Sequence, residues 1–490
     1  MRLSSFLLSI LFPALLLLFS SCTTHPQRIS RLKNDLAAAR QPDPAFLRES
    51  IDPESRNGLL FLLERFRLQQ LIGNTSASSS DFMAAHDFDR KQEAEKPVLA
   101  FSDLLNQTSA ILINDNTLPY RLNDFERVML YQLQIFNSMT ENPENLAPLI
   151  NNLTAYQQRI REKHADAFQK AEKTLQSTSN KEASASWRLV SENPEFQSRT
   201  AENLQVAQML RTLENAYAYY LCGVFFESQG KSGDAFLAYQ AALRLQPTNQ
   251  IFQKDVARIG GLLGKTPELQ QFDLVPLPAQ LPDGHGEIVL FFEEGYIPSK
   301  QSFKLPPIPI PTGYGLLLIN LALPVYLPAQ SLPSQARISF PGGTVNTELA
   351  ADLRNLAVKA LTDKMPEIVA RMSIRAIARA TANYAMLKSA KEISDPGQRD
   401  AAVFLLHLQQ IFVHAIEEPD LRSWLLLPNF TQVARFSLPE GTQQIRFQHR
   451  GLDQKFSVNV IKGRTTVAHC MAVPGRLTFA SAVLPTPTWK

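Results

Sequence analysis

The sequence predicts a multidomain α+β protein, with a solenoid of α-hairpins in the N-terminal part and a β-rich, sandwich-like domain with a helical insertion in the C-terminal part. Three observations carry this reading. Apolar residues recur at helical spacing through residues 22–270, 11 of the chain's 32 prolines fall between Pro276 and Pro333, and short segments beyond them alternate apolar with polar residues as strands do. With 490 residues, 44% hydrophobic and 19% charged, the chain is too long for one core and too apolar for disorder. Its formal net charge of +3 offers no surplus for a polyanion, so no nucleic-acid partner is expected. Three cysteines exclude a disulfide scaffold and a multi-cysteine zinc site.

The amino terminus reads as a secretion signal. Residues 1–21 hold one charge, Arg2, then a 14-residue apolar stretch from Phe6 to Phe19 and the small pair Ser20-Ser21. That stretch is too short to span a bilayer, and small residues before Cys22 give a peptidase access to the backbone. Phe19-Ser20-Ser21-Cys22 resembles the bacterial lipobox, whose cysteine is diacylated and becomes the first residue of the mature chain. The resemblance implies a lipid anchor on Cys22, palmitate among its chains. Because Thr23 rather than Asp follows, it also implies residence at the outer membrane, with the body on the periplasmic side. Each buried methylene contributes about 0.8 kcal/mol, so several acyl chains hold a protein firmly.

The mature chain divides by charge as well as by pattern. From 22 to 270 there are 27 basic and 29 acidic residues, against 21 and 17 from 271 to 490. Helical periodicity is plainest over 59–72, 125–139, 146–160 and 204–226. Residues 271–334 form a Pro-rich junction that includes Pro306-Pro307-Ile308-Pro309-Ile310-Pro311, and prolines at this density end helices and restrict strands to edges. The domain at 335–490 follows. Strands are expected over 287–292, 336–340, 432–438, 443–448, 455–461 and 465–472, with a turn at Pro439-Glu440-Gly441 and helices near 347–387 and 399–417.

Tyr219, Gly223, Phe226, Gly230, Ala235, Tyr239, Ala242 and Pro247 fall at the spacing of the tetratricopeptide repeat. Small Gly223 and Ala235 let two helices approach, aromatics fill the groove between them, and Pro247 ends the second helix. Gly73, Phe82 and Ala85 repeat the offsets of Gly230, Tyr239 and Ala242, with residues 59–71 as a first helix. A third hairpin is expected from 123–139 with 146–161, and about three stacked hairpins would share one core and expose a concave face. Together with the lipobox and Leu421-Arg422-Ser423-Trp424, these features resemble an uncharacterised family of bacterial lipoproteins with tetratricopeptide repeats. The likeness extends to Glu293-Glu294-Gly295-Tyr296-Ile297-Pro298 and the 371–379 helix. It implies a place in envelope or peptidoglycan assembly and brings no activity.

Few residues suggest chemistry. His407 and His414 share one helix face near Glu417, Glu418 and Asp420, but nothing else has ligand spacing, so no metal is expected. His469 and Cys470 are adjacent in a strand and face opposite ways, which separates a nucleophile from its base. Cys222 and Cys470 are expected as separate buried thiols. Phosphate-binding glycine loops, His-Glu-x-x-His and nucleophile elbows are absent from the sequence, so no cofactor or catalytic residue is assigned. A helix from residue 365 to 387 carries Lys364, Arg371, Arg375 and Arg379 on one side, with Val369, Ala376, Ile377, Ala380, Tyr384 and Leu387 opposite. The three arginines are expected to face outward, either as a solvated helix face or toward anionic headgroups or an acidic partner, with only Glu367 offsetting them within the helix. The function expected is a non-catalytic, lipid-anchored envelope scaffold that binds protein partners through its repeats. The alternative is an envelope hydrolase or transferase whose carboxylates come from distant segments.

Overall fold

The computed structural model describes residues 25–95, 117–164, 167–177, 181–312, 315–404 and 419–485. Cys22 and the signal, and His407, His414, Glu417 and Glu418, lie outside them. The chain is a mixed α+β protein with helices in the N-terminal part and sheets in the C-terminal part.

Two short helices, α1 (His25–Ala37) and α2 (Pro44–Arg48), precede a row of hairpins. The first is α3 (Gly58–Leu71) with α4 (Thr75–Ala94), the second α5 (Asp124–Glu141) with α6 (Leu146–His164). After α7 (Ala167–Ser177), α8 (Lys181–Ser191) and α9 (Pro194–Met209) comes α10 (Ala216–Ser228) with α11 (Ser232–Leu245), then α12 (Gln250–Leu262) and α13 (Thr266–Gln270). Asparagine starts six of these helices, and in five its side chain takes part in the cap. The side chains of Asn74, Asn193, Asn215 and Asn249 accept backbone N–H groups of the first turn, and Asn123 forms a capping box with Glu126. From α3 to α12 each hairpin helix packs on the next, α4 on α5, α6 on α10 and α11 on α12. Helices α7–α9 leave this row. Periodicity over 204–226 suggested one helix, but residues 210–215 break it, because Asn215 accepts from Tyr217 N at 3.0 Å and starts α10 afresh.

The sheets form two layers. β1 (His285–Glu294), β8 (Glu348–Asp352), β9 (Phe430–Pro439), β12 (Thr465–Val473) and β13 (Arg476–Val483) make a five-stranded sheet in the order β13-β12-β1-β9-β8. β1 runs parallel to β12 and antiparallel to β9. The second sheet, β11-β10-β6-β7, contains β6 (Arg337–Phe340), β7 (Gly343–Asn346), β10 (Gly441–His449) and β11 (Leu452–Val460). Alternation decides what each face meets. Ile288, Leu290 and Phe292 share a core with Ile338, Phe447 and Val458 of the opposite sheet, whereas Val289 and Phe291 join the core of the helices. One continuous apolar core therefore runs from Leu59 through Val289 to Leu484. In the Pro-rich junction, β2 (Gln301–Lys304) pairs with β5 (Ala322–Val325), and β3 (Ile308–Thr312) with β4 (Gly315–Ile319), as two-stranded ribbons.

The helix expected near 347–387 is α14, Leu353–Lys391, and its first residues differ from expectation, since 348–352 is strand β8. Asp352 caps it by accepting from Asn355 N at 3.0 Å. α7, α8 and α9 pack along α14, so the helices that left the hairpin row enclose this one. Residues 396–404 are helical, and the rest of the 399–417 segment lies outside the described residues.

Candidate functional site

The residues of the repeat pattern meet as one hairpin. A β-carbon on Gly223 would stand 2.5 Å from ring atoms of Tyr239, so only glycine lets that ring lie across α10. Ala235 and Ala242 are fully buried, Phe226 is buried, Gly230 turns the chain at φ 70°, and Pro247 follows α11 in an exposed turn. Cys222 is buried against α6, with its thiol 4.0 Å from the carbonyl of Ile150, and burial pushes the thiol up to about 12. The aromatics do more than fill space. Tyr219 donates to Glu214 at 2.7 Å and accepts from Arg161 of α6 at 3.2 Å.

Tyr239 enters a larger network that ties the hairpin to the sheet. Arg435 of β9 reaches Glu227 at 2.9 Å, Asp255 at 2.9 Å and Glu287 at 2.5 Å, and it donates to the Tyr239 hydroxyl at 3.1 Å. Burial acts to raise Glu227, but Arg435 and Arg258 outweigh it and hold the carboxyl below the usual carboxylate range. A second tie joins Arg67 of α3 to Glu293 of β1, with His469 at 3.1 Å from Glu293 and stacked on Phe136 at 3.8 Å. Cys470 points the other way, into the core between the sheets. Cys222 and Cys470 are separate free thiols.

A cleft of about 380 Å³ lies where α14, the start of α5, the end of β5 and residues 419–422 converge. From α14 it takes Ala357, Leu361, Lys364, Ile368, Met372 and Arg375, which recur at three and four residues and so line one helix face. This corrects the outward orientation expected for the arginines. Arg371 pairs with Glu367 on the cleft wall, Arg375 is buried at 5% exposure, and Arg379 is half-buried beyond the cleft, because α14 is packed by other helices and its basic side turns into this recess. On the opposite side Val369 is buried and Ala376 and Ile377 partly so, while the side chains of Ala380, Tyr384 and Leu387 lie outside those described.

Six cationic side chains and three carboxylates line the cleft: Arg121, Lys300, Lys364, Arg371, Arg375 and Arg422 against Glu126, Glu367 and Asp420. The carboxylates are engaged. Glu126 accepts from Tyr120 at 2.7 Å, from Asn123 N at 2.8 Å and from Trp424 N at 3.1 Å, and Asp420 binds Arg422 at 2.8 Å. Burial acts to raise Asp420, yet Arg422 holds it below its ordinary value. Lys300 donates to the carbonyl of Arg422 at 2.9 Å, and burial lowers its amine below the ordinary lysine value despite Asp420 and Glu126. Lys364 donates to the side-chain oxygen of Asn123 at 2.9 Å.

No family model matches the chain, and neither the curated proteins nor the solved structures contain a significant match. Of the cleft, the sequence reading had the basic side of α14 but neither Lys300 nor the Tyr120–Glu126 pair. Lys300 stands alone in a loop and carries no local signal. Asp420 and Arg422, two residues apart and of opposite charge, were the one further clue.

Proposed function

We propose that the chain is a non-catalytic, lipid-anchored scaffold of the bacterial cell envelope, tethered through Cys22 to the outer membrane on the periplasmic side. Its hairpin row would hold a protein partner, in envelope or peptidoglycan assembly. The observation that supports this reading best is the consecutive packing of hairpin helices from α3 to α12, an arrangement that offers side chains from many helices to one partner. The lipobox-like Phe19-Ser20-Ser21-Cys22 and the likeness to lipoproteins with tetratricopeptide repeats support the anchor and the setting. Leu237 of α11 is 60% exposed and Met83 of α4 is 55% exposed, apolar positions available to a partner.

Two measurements test it. Cys22→Ser is expected to leave the membrane fraction or to keep its signal uncut, and a variant that is processed and fractionates as wild type defeats the anchor. A photoreactive residue at position 237 in intact cells is expected to give one discrete adduct with an envelope protein identified by mass spectrometry. The same residue at Leu332, 79% exposed in the loop before β6, is expected to give none. Equal capture at both positions would sink the assignment of binding to the hairpins.

A further inference from the structure

We propose that the cleft between α14 and α5 binds a small amphipathic anion, its carboxylate or phosphate head between Lys300 and Lys364 and its apolar body along Phe125, Leu361, Ile368 and Met372. The inference stands apart from the scaffold reading, since it rests on the cleft alone.

Charge pairing is the first ground. Every carboxylate in the lining already serves a partner: Glu126 the Tyr120 hydroxyl and two backbone amides, Glu367 the Arg371 guanidinium, Asp420 the Arg422 guanidinium. Lys300 and Lys364 serve only neutral oxygens, and among the described residues neither has a carboxylate within salt-bridge distance. Each lies near charge of both signs, Lys300 near Asp420 and Glu126 and then Lys364 and Arg422, Lys364 near Asp124 and Glu126 and then Lys163 and Arg371, and these carboxylates are bonded to other partners. Like charges around a recess repel, and an anion between them replaces that repulsion with two charge-assisted hydrogen bonds.

Shape and polarity give the second ground. At about 380 Å³ the recess falls in the range of small-molecule sites, which run from about 300 to 1,000 Å³. Lys300 is half-buried and Lys364 exposed, so a head that touches both is drawn inward. An acidic protein surface would meet Lys364 at the rim and leave Lys300 without a partner. Phe125, Leu361 and Met372 are buried and Ile368 is half-buried, so the wall behind the head is apolar and suits a chain of a few carbons, which inorganic phosphate lacks.

The test uses the full-length protein in phosphatidylcholine nanodiscs and equilibrium dialysis of radiolabelled hexyl phosphate, with empty discs as the blank. Saturable binding of one probe per chain is expected, with inorganic phosphate and hexanol each about tenfold weaker or worse. Lys364→Gln, at an exposed position, is expected to fold as wild type and to weaken binding about tenfold, and Lys300→Gln with Lys364→Gln further still. No saturable binding above empty discs, or unchanged binding by a folded Lys364→Gln protein, overturns the proposal. So does a hexaglutamate peptide that displaces the probe as well as hexanoate does, which would assign the cleft to an acidic protein segment. Adding phosphatidic acid to the discs separates the two sources of the head: displacement supports a lipid headgroup as occupant, retained binding supports a soluble anion. Loss of partner capture at position 237 leaves this result untouched, so the two readings fail separately.

Discussion

The hairpins α3–α4 and α10–α11 begin from the same local pattern and reach the sheet by different means. Both turn on a left-handed glycine, Gly73 at φ 81° and Gly230 at φ 70°. Both then bury an aromatic and an alanine at equal offsets, Phe82 and Ala85 in one, Tyr239 and Ala242 in the other. Seven residues before the turn they part company, with Phe66 in the first and Gly223 in the second. Over Gly223 the ring of Tyr239 lies flat on α10, and its hydroxyl extends into the Arg435 network. Phe66 instead faces Phe82 at 6.2 Å and Trp424 at 6.0 Å, so the first hairpin admits a side chain from the C-terminal part. Its charged link to the sheet comes from α3, through Arg67 to Glu293, and Glu64 of the same helix accepts from the amides of Leu425 at 2.7 Å and Leu426 at 2.9 Å in the turn before β9. The first hairpin makes its tie through its first helix alone, whereas the second makes it through both, Glu227 of α10 and Tyr239 of α11 meeting Arg435.

The largest expected effect breaks the tie of the second hairpin. Arg435→Met leaves Asp255 buried and Glu227 and Glu287 half-buried around an apolar chain, with Arg258 still on Glu227 and Asp255. Removing one partner from a buried ionic group costs about 3–5 kcal/mol, and urea denaturation at pH 7 measures it. Arg67→Met strips Glu293 alone and is expected to cost less. The pH dependence follows with a fixed sign. Glu227 is held below its ordinary 4.5 in the fold, so the unfolded chain takes up the proton first and stability is lost as pH falls below about 4.5. Arg435→Met should flatten that acid limb. A neutral variant with an unchanged acid limb would show that packing alone joins hairpin to sheet.

A smaller effect tests the packing pattern itself. Ala235 is fully buried where α11 meets α10, so Ala235→Leu is expected to overpack the contact by about 1–3 kcal/mol. Lys231, exposed at the turn and making no side-chain cap bond, should be silent as Lys231→Ala. Equal thermal midpoints for the two variants would remove the claim that small residues set the approach of these helices.

What could be read from the sequence follows the range of the interaction. Glycine turns, buried alanines and the alternation of Val458 and Val460 against Ser457 and Asn459 are properties of neighbours, and all are where local reasoning puts them. The opposite facing of His469 and Cys470 belongs here too. The ties are different in kind, because Arg435 finds its carboxylates 148, 180 and 208 residues away and no window of sequence contains both ends. The cleft is half legible for the same reason. Its α14 wall shows as a basic stripe, but the stripe's orientation depends on α7–α9 packing along α14, contacts that no local pattern contains.

The remaining expected effect sharpens the comparison through pH. Beside the first hairpin, Lys33 of α1 holds its amine 4.6 Å above the ring of Tyr296, near Glu64. Burial lowers that amine from 10.5 to about 8, with Glu64 only partly opposing the shift. Arg435, beside the second hairpin, is pushed the other way by its three carboxylates, which overcome burial, and stays charged throughout. The first hairpin therefore has beside it a basic group that titrates in the mildly alkaline range, and Arg435 beside the second does not. Between pH 8 and 10.5 the unfolded chain binds the Lys33 proton that the folded chain has released, so raising pH favours the fold. Below pH 8 the buried charge is a standing cost, which Lys33→Met removes. The variant should accordingly exceed wild type by up to about 3 kcal/mol at pH 7, and the gap should narrow toward pH 9.5 in urea titrations at constant ionic strength. Amide exchange should report the change in α1 and α3 and leave α10 and α11 as they were, because the alkaline gain resides in one hairpin's surroundings. A gap that stays constant with pH would mean that Lys33 is stabilised by Glu64 and the Tyr296 ring as fully as Arg435 is by its carboxylates, and the electrical contrast between the two hairpins would vanish.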